Sequence, residues 1–156
     1  KNIIERGILK IKGCRMRDFS SGDGFYLDTD FDHALEWASG NSSRSAVLIW
    51  RVERNEFRER YKGLDLGVER NQEPSFQEVV SNFRSGQPDL SFRKNLDRQY
   101  DYIEGPWSAG PWPDDGRVSK GRATPLDGTY QLCLRNDACF EVFNTGKLHS
   151  VVFFKD

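Results

Sequence analysis

Long apolar runs are missing from this chain of 156 residues, and none approaches the roughly 20 residues of a membrane-spanning helix. Histidine is scarce, with only His33 and His149, which lie far apart. The three cysteines, Cys14, Cys133 and Cys139, make an odd count without metal-ligand spacing. Those two scarcities argue against a structural zinc site and against a disulfide-rich secreted scaffold. They favour free thiols, and with them the cytoplasm of a producing cell or of a target cell. An excess of one charge is missing too. The 23 basic residues nearly balance the 24 acidic ones, and a net charge of -1 gives no footprint for nucleic acid or an anionic membrane surface. The chain starts at Lys1 rather than at methionine and carries no signal-peptide core, which reads as a trimmed product, a processed product or an ordered fragment.

What is present suits one globular domain. Apolar residues make up 37% and aromatics 13%, enough at this length to bury a core. "NIIERGIL" predicts a short helix closing at Gly7, followed by a strand-like "ILKIKG" over 8–13. "GFYLDT" predicts a strand. A helix follows from an Asp30 N-cap to about Ser39, with Phe31, Ala34, Leu35 and Ala38 at helical spacing and Gly40 as its stop. "SAVLIWRVER", 45–54, has the clearest strand composition. Ser75 heads a predicted helix whose Phe76, Val79, Val80 and Phe83 form one stripe. Further strands are predicted at "QYDYIEG", "YQLCLR" and "HSVVFFK", a short helix over about 137–144, and a long surface loop over 105–128. Scattered short helices among more numerous strands predict an α+β fold with a split or sandwiched sheet.

The order of several blocks carries a resemblance. "IIERGI", then "GDGFYL" leading into "ALEWA", then "YDYIEGP" and "QLCLRNDACFEVF", resembles the small ADP-ribosyltransferase-like domains of unknown function found in bacteria, fungi and plants. Those are distant relatives of the diphtheria-toxin and poly(ADP-ribose) polymerase class. The likeness covers residues 2–40 and about 98–145, and "GDGFYL…ALEWA" is its most specific part. It implies NAD as substrate, held with its nicotinamide in a groove, and mono-ADP-ribosylation or NAD hydrolysis, in a toxin or effector with a protein target. By motif position, Gly24 and Tyr26 fall on the groove strand, Tyr26 turned to the groove and Phe25 to the core, and Trp37, eleven residues on, is the aromatic that stacks on the nicotinamide. A flat cationic ring against such a face gains about 1 kcal/mol or more when desolvated. Gln131 takes the place of the Glu or Gln that contacts the ribose and steadies the oxocarbenium-like transition state. Where a Glu would bring charge, a Gln brings only a dipole, which speaks against polymer synthesis. The family's opening strand carries a His-Gly or Arg grip on NAD, and its counterpart would precede Lys1. The resemblance therefore implies a single domain over 1–156 lacking that strand.

Each residue also has an ordinary reading. Tyr26 and Trp37 read equally as core aromatics, and Gln131 as an exposed polar residue at a strand end. Glu104 reads as a solvated strand-end carboxylate before it reads as a catalytic acid. The charge-dense stretch 51–63 reads as solvated surface, because acids and bases alternate in it. Trp107 and Trp112 stand in the loop either as a packed lid or as partner contacts. The alternative function is accordingly an inactive ADP-ribosyltransferase-like fold that binds another protein.

Overall fold

The structure is a computed structural model that describes residues 2–8, 17–21, 23–41, 45–67, 73–84, 89–109, 123–145 and 148–153. In chain order the described elements are α1 (Asn2–Arg6), β1 (Phe25–Asp28), α2 (Phe31–Asn41), β2 (Ala46–Trp50), α3 (Arg54–Arg60), β3 (Gly63–Asp65) and α4 (Phe76–Arg84). Then follow α5 (Leu90–Gln99), β4 (Tyr102–Gly105), β5 (Ser108–Ala109), β6 (Thr124–Pro125), β7 (Gln131–Leu134), α6 (Asp137–Asn144) and β8 (Leu148–Phe153). The class is α+β, as the sequence implied. Beyond Ile8, the strand expected over 8–13 lies outside the described residues, as do Cys14 and Trp112.

Side-chain alternation along the strands makes a four-stranded sheet with two buried faces. Its order is β1-β7-β4-β3, antiparallel except for the parallel β3–β4 pair. One rung aligns Tyr26, Cys133, Ile103 and Leu64 across all four strands, and that face meets the first core. The next rung aligns Phe25, Leu134, Tyr102 and Gly63 on the opposite face, over the second core. Helices α4 and α5 cover the first face through Val79, Val80, Phe83 and Leu96. The three α4 residues are at most 1% exposed, and burial of that completeness stabilises by about 1.5–3 kcal/mol for each side chain. Helices α3 and α6 cover the second face through Phe57, Phe140 and Phe143.

Local chemistry sets the helix ends. Ser75 and Glu78 form a reciprocal cap at the head of α4. Arg93 of α5 donates to the Asn82 and Phe83 carbonyls at the tail of α4, at 2.6 and 3.1 Å, and so joins the two helices. Asp30 caps α2 by accepting from the His33 amide at 3.0 Å. That helix runs through Gly40 to Asn41, one turn position past the expected stop. Gly7 ends α1 at φ +74°, a conformation that favours glycine. The side chain of Asn144 then pins the chain at Ile8 by bonding both its amide (2.5 Å) and its carbonyl (3.0 Å).

Two parts of the sequence reading are corrected. The strand expected over 45–54 stops at Trp50, and the charged segment beyond it forms α3, with Phe57 and Tyr61 buried one turn apart. Helix α5 and strand β3 had no sequence counterpart, because α5 offers only Leu90, Phe92 and Leu96 as apolar positions among charges. Strands β2 and β8 form a separate antiparallel ribbon. Trp50 ties that ribbon to the second face: its indole donates to the Phe143 carbonyl at 3.1 Å and sits edge-on to Phe25 and Phe143, both at 6.2 Å.

Candidate functional site

Among the described residues strand β1 is an edge of the main sheet, and the β2–β8 ribbon is a separate sheet. A cleft of about 860 Å³, walled by β1, α2 and β2, runs between them and reaches the start of β7. All four residues singled out by sequence, Gly24, Tyr26, Trp37 and Gln131, border this one cleft. They come from segments more than ninety positions apart in the chain, joined by the pairing of β1 with β7.

Gly24 has a steric reason. A Cβ at that position would collide with the Cys133 sulfur and lie 3.0 Å from Ser20. The missing side chain lets the approach to β1 press against the centre of the sheet.

Tyr26 does not simply turn into an open groove while Phe25 turns into a core. Both faces of β1 are covered, so each residue packs on its own core. The Tyr26 ring stacks on Phe19 at 6.5 Å between centroids. Its hydroxyl accepts from the Phe19 amide at 2.8 Å and donates to Ser20 at 3.2 Å. Burial pushes the phenol well above its ordinary pKa, so it stays neutral and committed to those partners. What Tyr26 brings to the cleft is ring surface. Trp37 is the opposite case. It is 55% exposed on α2, and its indole carries the Arg17 guanidinium 5.8 Å from the ring centroid. The core-aromatic reading therefore fits Tyr26 in part and does not fit Trp37.

Gln131 is only 9% exposed, which corrects its reading as an exposed strand-end residue. Its amide nitrogen donates to Asp18 at 2.9 Å and to the Pro106 carbonyl at 3.3 Å. Asp18 is itself buried, accepts from the Ser108 amide at 3.1 Å and pairs with Arg84. Neither Asp18 nor Arg84 was legible as a site residue, since each is a single charge in unremarkable sequence.

A second polar cluster occupies the other face of the sheet, where the rung Leu27, Leu132, Glu104, Asp65 ends in two carboxylates. Glu104 is buried, not solvated as its position suggested. Arg58 holds it through Nε at 2.9 Å and Nη2 at 2.5 Å, and reaches Asp65 at 3.1 Å. The Arg54 guanidinium lies 3.7 Å from the second Glu104 oxygen, and the Tyr130 hydroxyl donates to Asp65 at 2.6 Å. Desolvation raises the Glu104 pKa, and the hydrogen bonds and charge of Arg58 oppose that rise without cancelling it. The stretch 51–63 is thus not wholly solvated surface. The available signal was the i, i+4 spacing of Phe57 and Tyr61, which lays α3 on the sheet and carries Arg58 inward with it.

At the mouth, His33 Nδ1 is buried 4.0 Å from an oxygen of Asp28 and 4.0 Å from one of Asp30, and the imidazole packs 5.0 Å from Trp107. Burial is the main reason the Asp28 pKa stands above its usual value; the Asp30 amide and His33 draw it down less. Trp107 therefore packs against the domain beside the cleft. Among the described residues no group of three His, Cys, Asp or Glu could hold a metal ion, and no helix is long and apolar enough to cross a membrane. No protein-family model, curated protein or solved structure matches this chain.

Proposed function

We propose that the cleft binds NAD and that the domain is an ADP-ribosyltransferase-like fold acting in mono-ADP-ribosylation or NAD hydrolysis, in the manner of a toxin or effector. The observation that supports this most is the meeting of an exposed Trp37 face, the Tyr26 ring and the Gln131 amide on one cleft. The cleft volume falls within the range of small-molecule sites, roughly 300–1,000 Å³. In this reading nicotinamide stacks on Trp37, displacing Arg17, and the ribose reaches Gln131. Bond cleavage sends the electron pair of the C1′–N bond onto nicotinamide, and the Gln131 carbonyl dipole stabilises the positive charge left on the sugar. Water or a protein side chain then bonds to C1′ through its lone pair and releases its proton to solvent.

The second reading, a protein-binding module without turnover, is favoured by one specific observation. The Tyr26 hydroxyl and the Gln131 amide nitrogen are both engaged internally, the Asp18 carboxylate beside Gln131 is paired with Arg84, and Glu104 on the other face is paired with Arg58. Titration of NAD and of free nicotinamide against tryptophan fluorescence tests binding, with Trp37→Ala as the control for the other indoles. A saturable change lost in Trp37→Ala is expected. No saturable change with either ligand would refute the NAD reading. Release of nicotinamide from labelled NAD, or labelling of a lysate, then separates the enzyme from the module.

A further inference from the structure

The weak point of Gln131 as a ribose contact is that it brings no charge. Its surroundings change that judgement. The amide nitrogen has two hydrogens, and two acceptors hold them: Asp18 Oδ2 at 2.9 Å and the Pro106 carbonyl at 3.3 Å. With its donor end fully committed, the side chain has only its Oε1 acceptor left to present to the cleft it borders. One of the two partners is a carboxylate, and a hydrogen bond to a carboxylate polarises the amide so that its oxygen becomes a stronger acceptor. Asp18 is in turn fixed from three elements: by the Gln131 amide on β7, by the Ser108 amide on β5, and by Arg84 at the end of α4, which supplies the counter-charge. Arg84 also donates to the Ser108 carbonyl at 3.3 Å, which closes the network on itself.

We propose that Asp18 and Gln131 work as one unit, an amide-relayed carboxylate that presents a single, strengthened acceptor to a hydroxyl of a ribose in the cleft. Asp18 is the positioning residue and Gln131 the contact. This deepens the NAD reading and rests on it for the identity of the sugar. The unit selects a ligand that donates a hydrogen bond at this point and rejects one that offers an acceptor, because the amide cannot flip without turning its oxygen onto the Asp18 carboxylate.

The experiment compares 1-methylnicotinamide with nicotinamide riboside, two pyridinium cations that differ by a methyl group against a ribose, through fluorescence titrations on the intact chain. Thermal melts of the same proteins are recorded without ligand. In the wild type the riboside should bind about tenfold more tightly than 1-methylnicotinamide, the worth of one good hydrogen bond. Asp18→Asn and Gln131→Glu should each lose that increment while 1-methylnicotinamide still binds, the second because its new carboxylate faces Asp18. Combining D18N with Q131E swaps amide and carboxylate, so the double variant should melt higher than Q131E and bind the riboside more tightly than either single variant. If Asp18→Asn fails to fold, Q131E, which leaves the Asp18–Arg84 pair whole, carries the test against the double variant. An increment undiminished in D18N or Q131E, or a double variant no better than the singles, overturns the relay while leaving the NAD reading in place. Coupling in the melts with no binding of either ligand to the wild type overturns the ribose assignment together with the NAD reading.

Discussion

Replacing Arg58 by methionine removes a charge and keeps the length and most of the packing of the stem. Glu104, whose side chain is 8% exposed, then loses both N–H donors from the guanidinium, and Asp65 loses its contact at 3.1 Å. Breaking a buried ion pair costs about 3–5 kcal/mol, because a buried charge is left without its partner. Arg58 is 35% exposed and Arg54 remains at 3.7 Å, so solvent and the second arginine bring the expected loss down to about 2–3 kcal/mol at neutral pH. At this chain length that is a fall in Tm of roughly 5–10 °C. The pH dependence is the sharper test. Burial already holds the Glu104 pKa above its ordinary value, so the folded state keeps the proton to a higher pH than the unfolded chain does. Stability from this group is therefore present at acid pH and is lost as pH rises from the unfolded pKa through the folded one. Without Arg58, which opposes the rise, the folded pKa moves further up. The deficit of Arg58→Met should be larger at pH 8 than at pH 5, because the further-raised pKa lets Glu104 shed its uncompensated charge as the pH falls. Arg58→Lys, which keeps the charge and loses the fork, should fall in between. Melts at the two pH values decide the matter. An equal loss of Tm at both would show that lost packing, and not an uncompensated carboxylate, explains the effect.

Two further outcomes follow from the packing around β7. Gly24→Ala forces a methyl onto the Cys133 sulfur and should destabilise by about 1–3 kcal/mol, and the double variant with Cys133→Ala should recover part of it; strictly additive melts would show that the contact is not the cause. Cys133 and Cys139 are free and buried, and burial pushes both thiols up to about 12, so a thiol reagent should reach neither quickly in the native protein. All three cysteines should be found after denaturation without reductant, whereas a count of one would point to a disulfide and an oxidising compartment.

Sequence reasoning worked where one short segment holds its own signal. The stripe Phe76, Val79, Val80, Phe83 with its Ser75 cap specifies α4 from a window of nine residues, and the apolar run of β7 is just as local. It failed where the signal is divided between distant segments. Helix α3 has mostly charges to show, and only the sheet that Phe57 and Tyr61 lie on explains why Arg58 turns inward. The cleft-bordering side chains could be listed by motif order, but their partners could not. Gln131 and Asp18 are 113 positions apart, and nothing near Asp18 marks it as the acceptor for that amide. The loop expected over 105–128 holds, at its described ends, the small β5–β6 pair, too short to leave a periodic trace.

The strand order β1-β7-β4-β3 also bears on how the chain is made. Strand β7 stands between β1 and β4, and β8 is the pairing partner of β2. A nascent chain emerging from the ribosome therefore holds β1 and β2 for most of its synthesis with the strands they pair with still missing, and β4 has only β3 beside it until β7 arrives. Until residues 131–134 arrive, Tyr26 and Ile103 lack the strand that joins their rung. Until 148–153 arrive, the apolar run Ala46–Trp50 has no ribbon. Such non-local pairing is slow to form and leaves unpaired edges exposed meanwhile. The cleft is thus among the last features to exist, and a ribosome stalled before residue 130 carries aggregation-prone strands in place of a partly working site.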